Sequence, residues 1–276
     1  MPTGNSLSEV ELIFPDITEH PQWLRSQSKS WCDQLAAQTG QYALKWSYTT
    51  EGMAAEHIFT EQLSGLIRGR VLDVGCGHGE FTNLWSDRAE EVVGYDMTEG
   101  FLATATRNRK PNVRFVLGRT HDGLPFEDSS FDVAYTKKGP TSWYPEASRI
   151  LRPGADVLSL HPGDGNGEGG ELGLIFPGLF SPPAAGTPIL DIINTRLNGS
   201  GLTVLEIRNL RETVYIPSAE DIIAMIGFGQ NEHILRWVEE NYGNSIRSQF
   251  ERHRGEKGIR TTNFYYLLHA KAAGSM

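Results

Sequence analysis

Three glycines at alternate positions, Gly75, Gly77 and Gly79, break the run Val71-Leu72-Asp73-Val74-Gly75-Cys76-Gly77-His78-Gly79-Glu80-Phe81-Thr82. A β-branched and leucine stretch that ends in an acid, breaks into glycines and then turns polar reads as a strand, a tight turn and a helix start at about Gly79 to Phe81. Glycine lets the backbone adopt conformations that a Cβ would block and lets a ligand lie against the main chain. The spacing separates two ligand classes. A dinucleotide turn runs G-x-G-x-x-G and seats a pyrophosphate on a helix N-terminus, whereas this one reads G-C-G-H-G with Asp73 two residues before its first glycine. A carboxylate facing the mouth repels a pyrophosphate but suits a ligand bearing an ammonium group.

S-adenosylmethionine is such a ligand. Downstream, Glu91-Val92-Val93-Gly94-Tyr95-Asp96 reads as a second apolar strand ending in an acid. Its distance from the glycine turn, about twenty residues, is the one at which an acid closing the second strand of a βαβ unit reaches a ribose hydroxyl pair. With these residues in view the chain resembles the class I methyltransferases that use S-adenosylmethionine. The segments Leu124-Pro125-Phe126-Glu127-Asp128-Ser129-Ser130-Phe131-Asp132 and Leu151-Arg152-Pro153-Gly154 strengthen the likeness, since the small-molecule and ubiquinone-type branch often shows both. The resemblance is close over residues 70–160 and holds in outline elsewhere.

The resemblance implies a set of cofactor contacts. Asp73 and the backbone of Gly75, Cys76 and Gly77 would seat the methionine and ribose side, Asp96 would accept from the ribose hydroxyls, and Met97 would pack on the adenine face. Arg119 and Thr120 stand where similar enzymes hold the adenine amino group; the family often has an acid there, and Asp122 is the available substitute. Thr136 belongs to the Tyr135 to Ser142 loop, which in similar enzymes passes under the methionine and faces the acceptor. Trp46 and Tyr48 precede the second helix, where related chains often place an aromatic over the cofactor or acceptor, although a core anchor is an equal reading for them.

Methyl transfer is an in-line displacement that positioning alone can accelerate by several kcal/mol, so dedicated acids and bases are optional. The candidate catalytic residue is His161, which closes the fifth strand. Histidine titrates near 6.5 and can take a proton from a hydroxyl or thiol acceptor, with Asp164 placed to orient it. Shaping a lid hinge or binding substrate are the competing roles. Lys137 and Lys138 could attract an anionic acceptor or simply face solvent. The aromatics Phe176, Phe180, Phe228, Trp237 and Tyr242 could line an apolar acceptor pocket or form the core of a cap.

Composition narrows the acceptor. A formal charge of -9 and a pI near 5.4 leave no basic footprint, so nucleic acid is a disfavoured partner and a small molecule the favoured one. The Asn/Asp-Pro-Pro-Tyr/Phe signature of amino-group methylation is absent from the loop after the fourth strand, and no cysteine stands there for a covalent mechanism. An RNA methyltransferase of the same fold and a cofactor-binding protein without methyl transfer are the alternatives. Cys32 and Cys76 are a poor basis for a disulfide. His57, His233, His253 and His269 show no ligand spacing, so no metal is expected. No apolar run approaches a membrane span and no basic start precedes an apolar stretch, so a cytoplasmic protein is expected.

The elements that must hold these residues alternate. Strand candidates at 71–74, 92–95, 113–117, 131–136 and 155–160 are separated by helical patterns at 81–87, 99–107 and 142–151. Two more strands are expected at 202–208 and 263–270, the last antiparallel if the family topology holds. This predicts an α/β fold, a doubly wound, mostly parallel seven-stranded Rossmann-like sheet. Ahead of it, residues 1–69 hold a loose arm to about His20 and helices at 23–38 and 51–67. The methyltransferase domain at 70–276 carries two insertions, a lid at 162–187 and a two-helix cap at 218–254. The closing Gly274-Ser275-Met276 is assigned no structure.

Overall fold

Val71, Leu72, Asp73 and Val74 are all buried, as strands covered on both faces must be. In the computed structural model, which describes residues 14–273, they belong to one eight-stranded sheet. Its strands are β1 (Thr49–Glu51), β2 (Arg70–Val74), β3 (Glu91–Asp96), β4 (Val113–Leu117), β5 (Phe131–Lys137), β6 (Leu151–Pro162), β7 (Leu202–Ile216) and β8 (Ile259–Ala272), in the order β1-β7-β8-β6-β5-β2-β3-β4. The five strands from β2 to β6 pair in parallel. Strand β8 runs antiparallel to both β6 and β7, as expected for the last strand.

The count is eight rather than seven because Thr49-Thr50-Glu51 pairs with Tyr215, Val214 and Thr213 at the far end of β7. That end exists because β7 and β8 are much longer than their apolar centres, staying paired from Leu202↔Ala272 to Ile216↔Ile259. Alternation splits the buried side chains between the two faces: Leu72, Val74, Val93 and Tyr95 join one core cluster, Val71, Val92 and Tyr135 the other.

Helices α1 (Lys29–Thr39) and α2 (Ala55–Leu66) precede the parallel strands. Helix α1 starts six residues later than its apolar pattern suggests, because Ser28 caps it by accepting from the Trp31 amide, and it ends at Gly40 in the left-handed conformation. Helix α3 (Glu80–Asn83) is a single turn after the glycines, and α4 (Glu99–Arg107) and α5 (Ala147–Ile150) follow β3 and β5.

The lid region contains α6 (Glu171–Ile175), and the cap consists of α8 (Ala219–Ile226) and α9 (Glu232–His253) in the connection between β7 and β8. Lid and cap share one core, with Leu172, Phe176 and Leu179 against Ile222, Ile234 and Phe250. The loose arm expected to His20 is corrected from Phe14 onward. Phe14 and Ile17 are buried in that core, and the Ile17 amide donates to the Gly178 carbonyl at 3.0 Å. The rest of the arm, and the closing Gly274-Ser275-Met276, lie outside the described residues. Among the described residues no helix is long and apolar enough to cross a membrane.

Candidate functional site

The glycine turn leaves β2 with its amides already spent inside the protein. The amides of Gly75 and Cys76 donate to the Tyr95 carbonyl at 2.8 and 3.2 Å, and that of Gly77 donates to Asp96 Oδ2 at 2.9 Å. All three glycines have positive φ, at 82°, 54° and 76°, so each needs the freedom that only glycine has at no cost. Their surroundings differ. A Cβ on Gly75 would stand 2.7 Å from Pro140 Cδ, and one on Gly79 would stand 2.5 Å from the Phe115 ring, so these two let elements approach each other. At Gly77 the only neighbour within 4 Å among the described residues is Tyr42 Cβ at 3.9 Å. The main chain at Gly77 is therefore where a ligand can lie against the turn.

Asp96 sits beside it at the end of β3. Its Oδ1 accepts from the Thr98 amide at 2.8 Å and its Oδ2 from Gly77. Burial raises its pKa from the ordinary value, against the pull of the Gly77 and Thr98 amides. A carboxylate offers about four lone-pair sites, so two remain for donors from a bound molecule. Met97, half-buried, packs toward Trp31, Leu35 and Phe101 around α1. Cys76 turns its thiol inward, so that a Cβ on Gly94 would meet its sulfur at 2.8 Å; only the backbone of Cys76 borders the turn's open side.

Asp73 does not face the mouth as expected. It is 2% exposed, and its Oδ2 accepts from Thr82 Oγ1 at 2.7 Å and the Tyr135 hydroxyl at 2.8 Å. Burial pushes its pKa up to about 6, with those two hydrogen bonds opposing the rise. Asp73 thus pins the start of α3 to β5 from beneath the turn. Thr136 is also displaced from the expected role: fully buried, it donates to the Val74 carbonyl and ties β5 to β2. Tyr48 is 46% exposed. The aromatic near the turn is instead Tyr42, whose amide donates to His78 Nδ1 at 3.2 Å and whose ring packs edge-on to Phe101 and Phe228. Sequence reading passed over Tyr42 because it lies in an irregular stretch with no periodicity. Trp46 packs edge-on to Phe228.

Beyond the end of β4, Thr120 Oγ1 lies 2.5 Å from Ser142 Oγ and Arg119 is exposed. The lysines of the β5 loop share one carboxylate. Lys137 and Lys138 reach the two oxygens of Glu56 at 3.1 and 2.6 Å; burial alone would raise the Glu56 pKa, and the two lysines bring it below the ordinary value.

Across the Gly139-Pro140 turn from the glycines lies a cavity of about 250 Å3. His161 and Thr141 line it together with Ile189, Ile192, Ile193 and Arg196 of α7 (Pro188–Leu197), a helix that sequence reading missed. Thr187-Pro188 ahead of Ile189, Ile193 and Leu197 was its available signal, since proline favours the first helical position. Asp164, expected to orient His161, instead caps α7: its Oδ2 accepts from the amides of Ile189 and Leu190 at 2.9 and 3.0 Å.

His161 is 2% exposed, and its Nε2 lies 2.6 Å from the Tyr144 hydroxyl. Burial pushes its pKa down to about 4, with the Arg196 charge adding to the fall and the Gly139 backbone opposing it. A ring so weakly basic and already engaged is a poor proton acceptor at neutral pH; its geometry is that of a strut between β6 and the 139–141 loop. Phe176, Phe180, Trp237 and Tyr242 belong to the cap core, and Phe228 packs with Trp31 and Tyr42. The cavity walls are isoleucines instead.

A sequence family described as "Methyltransferase domain" matches residues 71–159, the span that holds the glycine turn, Asp96 and the β5 loop. The likeness is thus to a methyltransferase domain of the class I type, over residues 71–159 of this chain. Over 138 residues the chain is 27% identical to a demethylmenaquinone methyltransferase of Renibacterium salmoninarum, covering 46% of this chain and 57% of that protein. Over 96 residues it is 29% identical to a malonyl-[acyl-carrier protein] O-methyltransferase of Serratia marcescens, covering 32% and 36%. The aligned part thus spans little more than half the length of the first of these relatives and about a third of the second. Among solved structures, a functionally unknown protein from Deinococcus radiodurans superimposes with a TM-score of 0.62 at 20% identity, covering 87% of this chain and 98% of that chain, which shows the shared fold.

Proposed function

We propose that this protein transfers a methyl group from S-adenosylmethionine to a small, partly apolar acceptor held in the cavity between the Gly139-Pro140 turn and α7. One observation carries the reading: Pro140 touches the glycine turn on one side and lines the cavity on the other. In-line transfer needs the reacting atoms within about 3–3.5 Å of each other, so a donor seated on the turn would deliver its methyl group past the edge of Pro140 into the cavity that this residue borders.

The residues present fit the donor. Gly77 offers open main chain, Asp96 keeps lone pairs for ribose hydroxyls, Met97 stands next to it for the adenine, and Thr120 and Arg119 border the same end. Among the described residues no donor reaches the Gly75 carbonyl, which leaves it for the methionine ammonium. Bound S-adenosylmethionine supplies an electrophilic methyl group. The chain's own contribution is orientation: Asp73 holds the turn from below, His161 and Tyr144 hold the 139–141 loop, and α7 encloses the acceptor side. The likeness to demethylmenaquinone and malonyl-carrier methyltransferases supports an acceptor that is not a polynucleotide, as do the net charge of -9 and the pairing of Lys137 and Lys138 with Glu56.

Calorimetric titration with S-adenosylhomocysteine tests the cofactor assignment, and time-dependent formation of S-adenosylhomocysteine from S-adenosylmethionine across an acceptor panel tests transfer. Binding without turnover on any acceptor would return the protein to the cofactor-binding reading, and absence of binding would remove both.

A further inference from the structure

We propose that the acceptor carries a carboxylate and that Arg196 is the residue that reads it, an inference that rests on the cavity being the acceptor site. Arg196 lies in the last turn of α7, half-buried, with its guanidinium donating to Thr141 Oγ1 at the cavity wall. Among the described residues, the other half-buried arginines, Arg70, Arg114, Arg149, Arg208 and Arg247, each have a carboxylate within 4 Å. Arg196 has none. In a chain with 34 acids to 25 bases, a half-buried cation that meets no acid has an open place for one.

The surroundings define the rest of the ligand. A guanidinium has five N–H donors in a planar fork that matches a carboxylate, and a single hydroxyl oxygen uses only part of it. Beside it Ile192 is 51% exposed, and Ile189 and Ile193 continue the same wall. An isoleucine wall ending in an arginine complements a short amphiphile with an apolar body and an anionic head. Lys137 and Lys138 share the Glu56 carboxylate on the other side of the β5 loop, whereas Arg196 is the one cation among the described residues that line the cavity. Its helix is held in place by Asp164, which fixes where the head group would sit relative to Pro140.

The test uses hexanoate and its neutral isostere hexanamide, titrated into isotopically labelled full-length protein with and without saturating S-adenosylhomocysteine, and followed by amide shifts at Thr141, Ile193 and Arg196. Hexanoate should bind at millimolar concentration and outcompete hexanamide by about tenfold or more, the value of a charge-assisted hydrogen-bonded pair. Arg196→Gln should abolish that preference, Arg196→Lys should keep part of it, and Thr141→Val, which removes the wall hydrogen bond but leaves the guanidinium, should retain hexanoate binding. Equal affinity for acid and amide, a preference untouched by Arg196→Gln, or no shift at the cavity at tens of millimolar would each overturn the assignment. Binding of S-adenosylhomocysteine is read separately by calorimetry, so a failed donor site and a failed carboxylate site give different results.

Discussion

The Tyr144 hydroxyl lies 2.6 Å from Nε2 of His161, with both side chains sealed between β6 and the loop that follows β5. A histidine whose folded pKa is about 4, against an ordinary 6.5, takes up a proton in the unfolded chain but not in the folded one between those values. Its contribution is present above pH 6.5 and is lost as the pH falls toward 4. His161→Gln removes that loss. The stability of the wild type relative to this variant, from urea unfolding, should fall by up to about 3 kcal/mol between pH 7 and pH 4.

Asp73 has the opposite sign. Its folded pKa of about 6 against 3.8 means that the folded chain binds the extra proton, so its contribution is present below pH 3.8 and lost as the pH rises through 6. Relative to Asp73→Asn, the wild type should lose up to about 3 kcal/mol of stability between pH 4 and pH 7. Each slope is read from its own variant, because the two cancel in the native protein over much of that window.

Gly75→Ala and Gly77→Ala should separate packing from ligand contact. Both place alanine at positive φ, a cost of about 1–2 kcal/mol, and Gly75→Ala adds a collision with Pro140. Denaturant unfolding should therefore show the larger loss for Gly75→Ala. Calorimetry should show Gly77→Ala losing S-adenosylhomocysteine affinity out of proportion to its small loss of stability.

Asp96→Ala should cost most of the cofactor affinity, about a hundredfold or more, since it removes the acceptor for the ribose and frees the Gly77 and Thr98 amides together. Asp96→Asn, which keeps one oxygen, should cost less. Full affinity in the alanine variant would defeat the donor assignment.

Asp164→Ala takes the cap from α7. The expected cost is about 1–2 kcal/mol of stability, and the shifted helix should weaken hexanoate binding while leaving S-adenosylhomocysteine binding within a few-fold of wild type in parallel titrations.

The parallel sheet was legible because each of its strands is an apolar run closed by a polar turn: the strand at 113–117, like the helix at 99–107 before it, has the bounds that its pattern suggests. Legibility failed where tertiary pairing lengthened an element. In Asn209 to Ile216 the β-favouring run Thr213-Val214-Tyr215-Ile216 was a strand signal passed over, while polar Asn209, Arg211 and Glu212 ahead of it are held in the strand by pairing with β8. At the site, residue types located the turn and Asp96 but not the direction of each side chain. Asp73 reads as a ligand carboxylate until Thr82 and Tyr135 are seen to hold it, and Asp164 reads as a partner of His161 until α7, which falls in a stretch dense in glycine and proline before Pro188, is seen to begin there. Tyr42 and Arg196 acquire meaning only from what folds against them.

Because Ile216 and Ile259 face each other across β7 and β8, the chain departs for the cap and returns at neighbouring points. The cap is thus grafted onto the tip of a hairpin whose strands are paired up to the point where it leaves. An insertion of different length could leave and rejoin the sheet at that point with the strand order unchanged.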